Sequence, residues 1–199
     1  MKAFVFSVAA LFAVSTAYAQ TAWTVDKAHA KVGFTVTHLM LTEVDGNFKN
    51  YDAKITSAKP DLSDAVIELT ADINSINTDN ERRDGHLKSP DFFDAAKYPT
   101  LTFKSTSFQK VEGKKYKLVG DLTMHGVTKP VTLDAVLVGP VTMENPRGKQ
   151  EKAGLKISGT IKRSDFGVGS SSTAVVSDEV ELKAAGEFAK QTAAVAESK

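Results

Sequence analysis

The chain has 199 residues, 42% hydrophobic and 25% charged, with no cysteine and 25 basic against 24 acidic side chains. A balance this even leaves no global basic footprint for nucleic acid. The lack of cysteine excludes a disulfide framework, a cysteine-bearing metal site and a lipid anchor on an N-terminal cysteine, so the core must hold by packing alone.

The N-terminus reads as an address. Met1-Lys2 is a short basic start, residues 3–14 are an apolar run too short to span a bilayer comfortably, and Ala17-Tyr18-Ala19 has the small-x-small form of a cleavage site. Residues 1–19 are therefore expected to be a cleaved signal, with Gln20 opening the mature chain. Because Lys2 is the only charge removed, the remainder balances at 24 of each sign. An exported, soluble protein is expected: periplasmic where there is an outer membrane, secreted otherwise, and not an integral membrane protein. About 180 mature residues suit one well-buried domain, taken as 20–188.

Period-two alternation dominates the mature chain. After a short strand at 23–26, residues 31–38 place Val32, Phe34, Val36 and His38 on one face. Residues 44–55 form the next segment, carrying Phe48. Residues 66–73 set Ile67, Leu69, Ala71 and Ile73 against Glu68, Thr70 and Asp72.

The connection that comes next, within residues 75–103, is longer than a hairpin needs. Residues 80–88 read as a short polar helix, Ser89-Pro90 is a cap followed by proline at a first helical position, and the next turn presents Phe92 and Phe93. Pro99 biases Tyr98 toward extended backbone.

Alternation resumes at 101–108 and 115–124, where Tyr116, Leu118, Gly120, Leu122 and Met124 share a face, and at 131–141. Residues 144–154, with Pro146, Gly148 and several charges, read as an exposed loop. Strands return at 155–162 and 180–188, and residues 189–199 read as a frayed tail.

About eight strands with one apolar face each imply an all-β, antiparallel fold. The period does not separate a barrel from a sandwich. Ala71, Gly120, Ala135, Gly159, Ala184 and Gly186 are small residues on apolar faces whose neighbours are large. They suit an unfilled lumen able to hold a small ligand, or equally the taper of a packed interior.

Candidate chemistry is sparse. His29, His38, His86 and His125 form no metal-binding pair at short spacing. Residues 169–172 are not a nucleophile elbow, and Asp165-Phe166-Gly167 matches a kinase tripeptide without its context. Asp84 and Asp91 sit among arginine and lysine, where ion pairing is the commoner role. Arg82-Arg83-Asp84 suits either an arginine fork for a phosphate or carbonyl oxygen, or a tie between insertion and barrel rim.

In order and number, several pieces together resemble the YceI-like family of exported polyisoprenoid-binding proteins. They are Trp23 with Asp26 and His29, Phe34-x-Val36-x-His38, Gly46-x-Phe48, Ser75-Ile76-x-Thr78, Arg83-Asp84-x-His86-Leu87-x-Ser89 and Asp91-Phe92-Phe93-Asp94. Tyr98-Pro99, Phe103-x-Ser105, Gly120-x-Leu122-Thr123-x-His125-Gly126, Arg163-x-Asp165-Phe166-Gly167 and Val176-Ser177-Asp178 continue the series. Ala30 stands where the family more often has serine.

The resemblance implies an extended lipocalin-like antiparallel β-barrel of about eight strands with a short helical insertion. Its lumen would hold a polyisoprenoid, quinone or fatty-acyl chain, with no catalytic residue, metal or other cofactor. Phe34, Val36, Phe48, Leu69, Phe92, Phe93, Phe103 and Leu122 are the expected lumen wall. His38, Arg83, His86 and Arg163 are the expected head-group contacts, with Asp84 and Asp165 holding the arginines. A homodimer is possible under this reading. The alternatives are an enzyme using His38 or His86 as general base, and a stress-protective module with a packed interior.

Overall fold

A computed structural model describes residues 20–146, 148–170 and 172–191, with only the backbone described at Asn145. The expected signal at 1–19 and residues 192–199 of the expected tail lie outside the described residues. In chain order the strands are β1 (Thr21–His38), β2 (Thr42–Phe48), β3 (Tyr51–Ser57), β4 (Val66–Asp72), β5 (Ile76–Asn77), β6 (Thr100–Glu112), β7 (Lys115–Met124), β8 (Val127–Asn145), β9 (Gly148–Lys162) and β10 (Val176–Lys190). One helix, α1 (Glu81–Lys88), lies between β5 and β6.

All the pairings are antiparallel, and eight strands close a barrel in the order β1, β3, β4, β6, β7, β8, β9, β10 and back to β1. β2 and β5 are continuations. β3 pairs with the start of β1, β2 pairs with its end, and β5 pairs with β2. The segment expected at 44–55 is thus one strand bent at Lys49-Asn50. Ser75 closes the bend: its Oγ accepts from Asn50 N–H at 2.9 Å and its carbonyl accepts from Lys49 N–H at 3.1 Å.

The expected strands at 23–26 and 31–38 are likewise one, β1, whose register against β10 jumps between Asp26 and Ala30. Such a bulge expels residues from the ladder and bends the strand.

Two sequence expectations are corrected. Residues 144–154 are not a loop: β8 and β9 pair through Thr142↔Glu151 to Asn145↔Gly148, and Gly154 pairs with both Val138 and Glu187. The tail begins later than 189, since Ala189 and Lys190 pair with Thr24 and Trp23, and Gln191 N–H donates to Ala22 O at 2.8 Å.

The core is graded along the barrel axis. At the end holding the N-terminus of β1, Trp23, Ile55, Leu62 and Leu118 are at most 1% exposed and plug the interior. Toward the end carrying α1, the inward side chains of β1 and β10, among them Phe34, Val36, Val180 and Leu182, are only partly buried. Among the described residues, no helix is long and apolar enough to cross a membrane.

Candidate functional site

The partly buried inward faces surround a cavity of about 390 Å³, within the range of small-molecule sites. All eight side chains expected in a lumen wall, Phe34, Val36, Phe48, Leu69, Phe92, Phe93, Phe103 and Leu122, line it. The wall also includes Leu133, Leu155, Ile157, Ile161, Val180 and Leu182 from β8 to β10. The sequence expectation leaves these out, although the period-two spacing of Leu155, Ile157 and Ile161, and of Val180 and Leu182, puts each set on one face. Tyr51 lines the cavity too, and burial pushes its phenol pKa up, so the hydroxyl stays protonated in a mainly apolar wall.

Aromatic contacts run from the wall to the cap. Phe48 sits 6.0 Å from Phe34 and meets Phe93 edge-on at 6.5 Å between centroids. Phe92 and Phe93 are 8% and 9% exposed, placed by turns in which Phe92 N–H donates to Ser89 O and Phe93 N–H to Leu87 O.

Both readings of the small residues hold, at different positions. Ala184 and Gly186 border the cavity. By contrast, a Cβ on Gly120 would meet the Phe103 ring at 2.4 Å, and one on Gly159 would meet Leu133 at 2.5 Å, so neighbours fill those places. Ala71 and Ala135, 0% and 2% exposed, lie in packed wall and do not line the cavity.

At the mouth, α1 begins at Asn80, whose side chain accepts from Arg83 N–H at 3.0 Å as an N-cap. Asp84 is 9% exposed and accepts from Thr78 N–H at 2.8 Å and Thr78 Oγ1 at 2.6 Å. Arg83 donates from Nε to Thr78 Oγ1 and from Nη2 to Thr78 O, each at 2.7 Å. The expectation that Asp84 holds the arginine directly is therefore corrected: Thr78 stands between them, and the trio ties the cap to the end of β5. Arg83 still lines the cavity, and its Nη1 takes no part in this lock.

His38 and His86 also line the cavity and are exposed. His86 stacks edge-on against Phe92 at 5.0 Å, with Nε2 3.3 Å from Asp91 Oδ2.

Arg163 is 6% exposed and lines the cavity beside Gly169, which packs on the Phe92 ring. It donates from Nε to Ser177 O, from Nη1 to Val168 O and Gly169 O, and from Nη2 to Val176 O, at 2.7 to 3.1 Å. It thereby shapes the β9–β10 connection over the barrel end. Asp165 does not hold it, and pairs instead with Lys129 at 3.1 Å on the outside. The tripeptide that matched a kinase signature is the end of a 3₁₀ turn (Arg163–Phe166): Phe166 is 1% exposed and Gly167 supplies φ +66°. His125 is tied to that turn, its Nδ1 3.3 Å from Phe166 O and its ring against Tyr98 at 4.8 Å.

Away from the cavity, Asp26, His29 and Glu187 bring potential ligand atoms within 4.8 Å of one another. Lys152 Nζ already lies 3.0 Å from Glu187 and 3.5 Å from Asp26, and His29 Nδ1 is 3.0 Å from Asp26 Oδ2. The His29 hydrogen bond holds the Asp26 carboxyl below its ordinary value, and Glu187 raises Lys152. The group is an ion-pair network pinning the bulge of β1 to β9 and β10.

The YceI-like domain profile matches residues 23–188. Protein YceI of Salmonella newport is 37% identical over 179 residues, covering 89% of this chain and 91% of the relative. The crystal structure of Campylobacter jejuni YceI superposes with TM-score 0.69 at 40% identity, over 84% of this chain and 96% of that one. A polyisoprenoid binding domain from Saccharophagus degradans shares the fold with TM-score 0.62 at 16% identity, over 84% and 97% of the two chains.

Proposed function

Because this chain belongs to the YceI-like family, we propose that it is an exported carrier whose barrel holds one long-chain isoprenoid or similar amphiphile, shielding it from water. The observation that carries this reading is the cavity itself: about 390 Å³, walled chiefly by aliphatic and phenyl groups, plugged at one end and rimmed by polar side chains at the other. A polyisoprenoid binding domain on the same fold supports the ligand class. Each methylene-sized group moved from water into such a wall gains about 0.8 kcal/mol, enough over several isoprene units to offset ordering.

A holding role fits the mouth better than catalysis. Arg83 is engaged with Thr78, Arg163 with backbone carbonyls, and His86 rests on Phe92 beside Asp91. The proposed head-group contacts are His38, His86 and the Nη1 edge of Arg83, with a quinone or a prenyl phosphate as candidate heads.

Native mass spectrometry of the mature protein from its own host tests the reading. Adducts spaced by isoprene units, or uptake of a supplied prenyl lipid, are expected. Recovery of ligand-free protein that takes up no prenyl lipid would overturn it.

A further inference from the structure

The connection between β1 and β2 goes against two local preferences. Leu39 and Met40 both hold left-handed backbone, at φ 52° and 57°, where turns of this kind favour Gly, Asn or Asp. Leu41 N–H closes the turn onto His38 O at 3.0 Å, and Leu39 N–H donates to Val175 O at 2.9 Å. Internal packing gives little back for this strain. Leu39, Met40 and Leu41 are 47%, 77% and 82% exposed, and Val175 beside them is 42% exposed. Large apolar side chains in a disfavoured conformation and open to water point to a role outside the fold.

The location narrows that role. His38, Val175 and Val176 line the cavity, so the apolar tip stands at the rim of its opening. The tip is convex and small. Stable protein interfaces bury roughly 800 Å² on each partner, far more than three turn side chains and a valine provide, whereas a bilayer surrounds an inserted tip and buries apolar groups to a depth of about 5–10 Å. In sequence, beyond His38 the tip is flanked by Thr37, Thr42 and the acidic Glu43, so the turn itself brings no cationic cluster and its apolar side chains are the driving force.

We propose that Leu39, Met40 and Leu41, with Val175, form a bilayer-docking tip that seats the cavity opening on a neutral lipid surface. An amphiphile then passes between membrane and lumen without crossing water. That passage rests on the carrier reading, while the docking stands without it.

The test uses the mature chain with phosphatidylcholine vesicles in a sedimentation assay at low and high salt. Wild-type protein should partition to the vesicles with little response to salt. The triple substitution Leu39→Asn, Met40→Gly, Leu41→Ser installs residues that suit the turn. It should lower the partition coefficient roughly tenfold or more while leaving the melting temperature equal or higher.

Wild-type protein that stays in the supernatant would overturn the proposal, as would a variant that partitions equally or binding that high salt abolishes. A wild-type dimer that the substitutions convert to monomer would also overturn it, in favour of a second copy as occupant. Uptake of a prenyl lipid from detergent micelles is measured in parallel. Vesicle binding without uptake leaves docking standing and removes the carrier reading, and uptake without vesicle binding does the reverse.

Discussion

Ala184→Phe separates an open lumen from a packed core. Ala184 lies on the inward face of β10, between Val32 of β1 and Ile157 of β9, and borders the cavity. A benzyl group there adds roughly six carbon centres to the wall. At about 0.8 kcal/mol for each carbon group displaced, ligand burial falls by up to about 5 kcal/mol, more than a ~1,000-fold loss of affinity. The unliganded protein should be no less stable, because the ring enters empty space. Ala135→Phe is the control: Ala135 is 2% exposed and packed behind the cavity lining, where overpacking costs about 1–3 kcal/mol. Titration with a fluorescent polyprenyl probe and urea unfolding measure both quantities. Unchanged affinity in Ala184→Phe, together with a loss of stability matching the control, would refute the reasoning.

Asp84→Ala should strip Thr78 N–H and Oγ1 of their shared acceptor and cost about 1–3 kcal/mol. Hydrogen exchange should report faster amides across α1, and stopped-flow release of the probe should speed up as the cap loosens. The Asp178 carboxylate accepts from Ser164 Oγ at 2.8 Å and Ser164 N–H at 3.0 Å, and these hydrogen bonds lower its pKa. A depressed folded pKa gives stability that is present above the ordinary aspartate value and lost as pH falls through the folded value. The melting temperature of Asp178→Asn should therefore lie below wild type at neutral pH, with the gap closing in acid; a gap that widens in acid would contradict the sign.

The barrel was legible because one-sided burial leaves a period of two, and β7 shows it in unbroken form from Tyr116 to Met124. The β8–β9 extension was not, for the same reason. Val141 and Met143 are 51% exposed, and a ribbon without a buried face has no alternation to read. The wall at Phe34, Phe48, Phe92 and Phe93 could be named from the faces and the family motifs. The roles of the two arginines could not, because their acceptors are mostly backbone carbonyls, which no side-chain pattern records. The small residues show a related limit. Gly120 and Ala184 look alike in sequence, but Phe103 fills the space beside Gly120, while Ala184 has open cavity before it. That difference depends on strand register and rotamers, which were not evident from the sequence.

The engagement of the mouth bears on what the lumen selects. Arg163 spends at least four donor contacts on backbone carbonyls and Arg83 spends two on Thr78; withdrawing either to grip a head group would unfasten the structure that forms the rim. A net hydrogen bond to a neutral head adds about 0.5–1.5 kcal/mol, or about 1.5–3 when one partner is charged. Ten buried carbon groups contribute roughly 8 kcal/mol. On the carrier reading, chain length therefore governs affinity, and head groups are ranked only by the contacts left over from the cap lock. On that reading a barrel built this way tolerates varied heads on one kind of tail, because locking the cap and greeting the ligand compete for the same side chains at the rim.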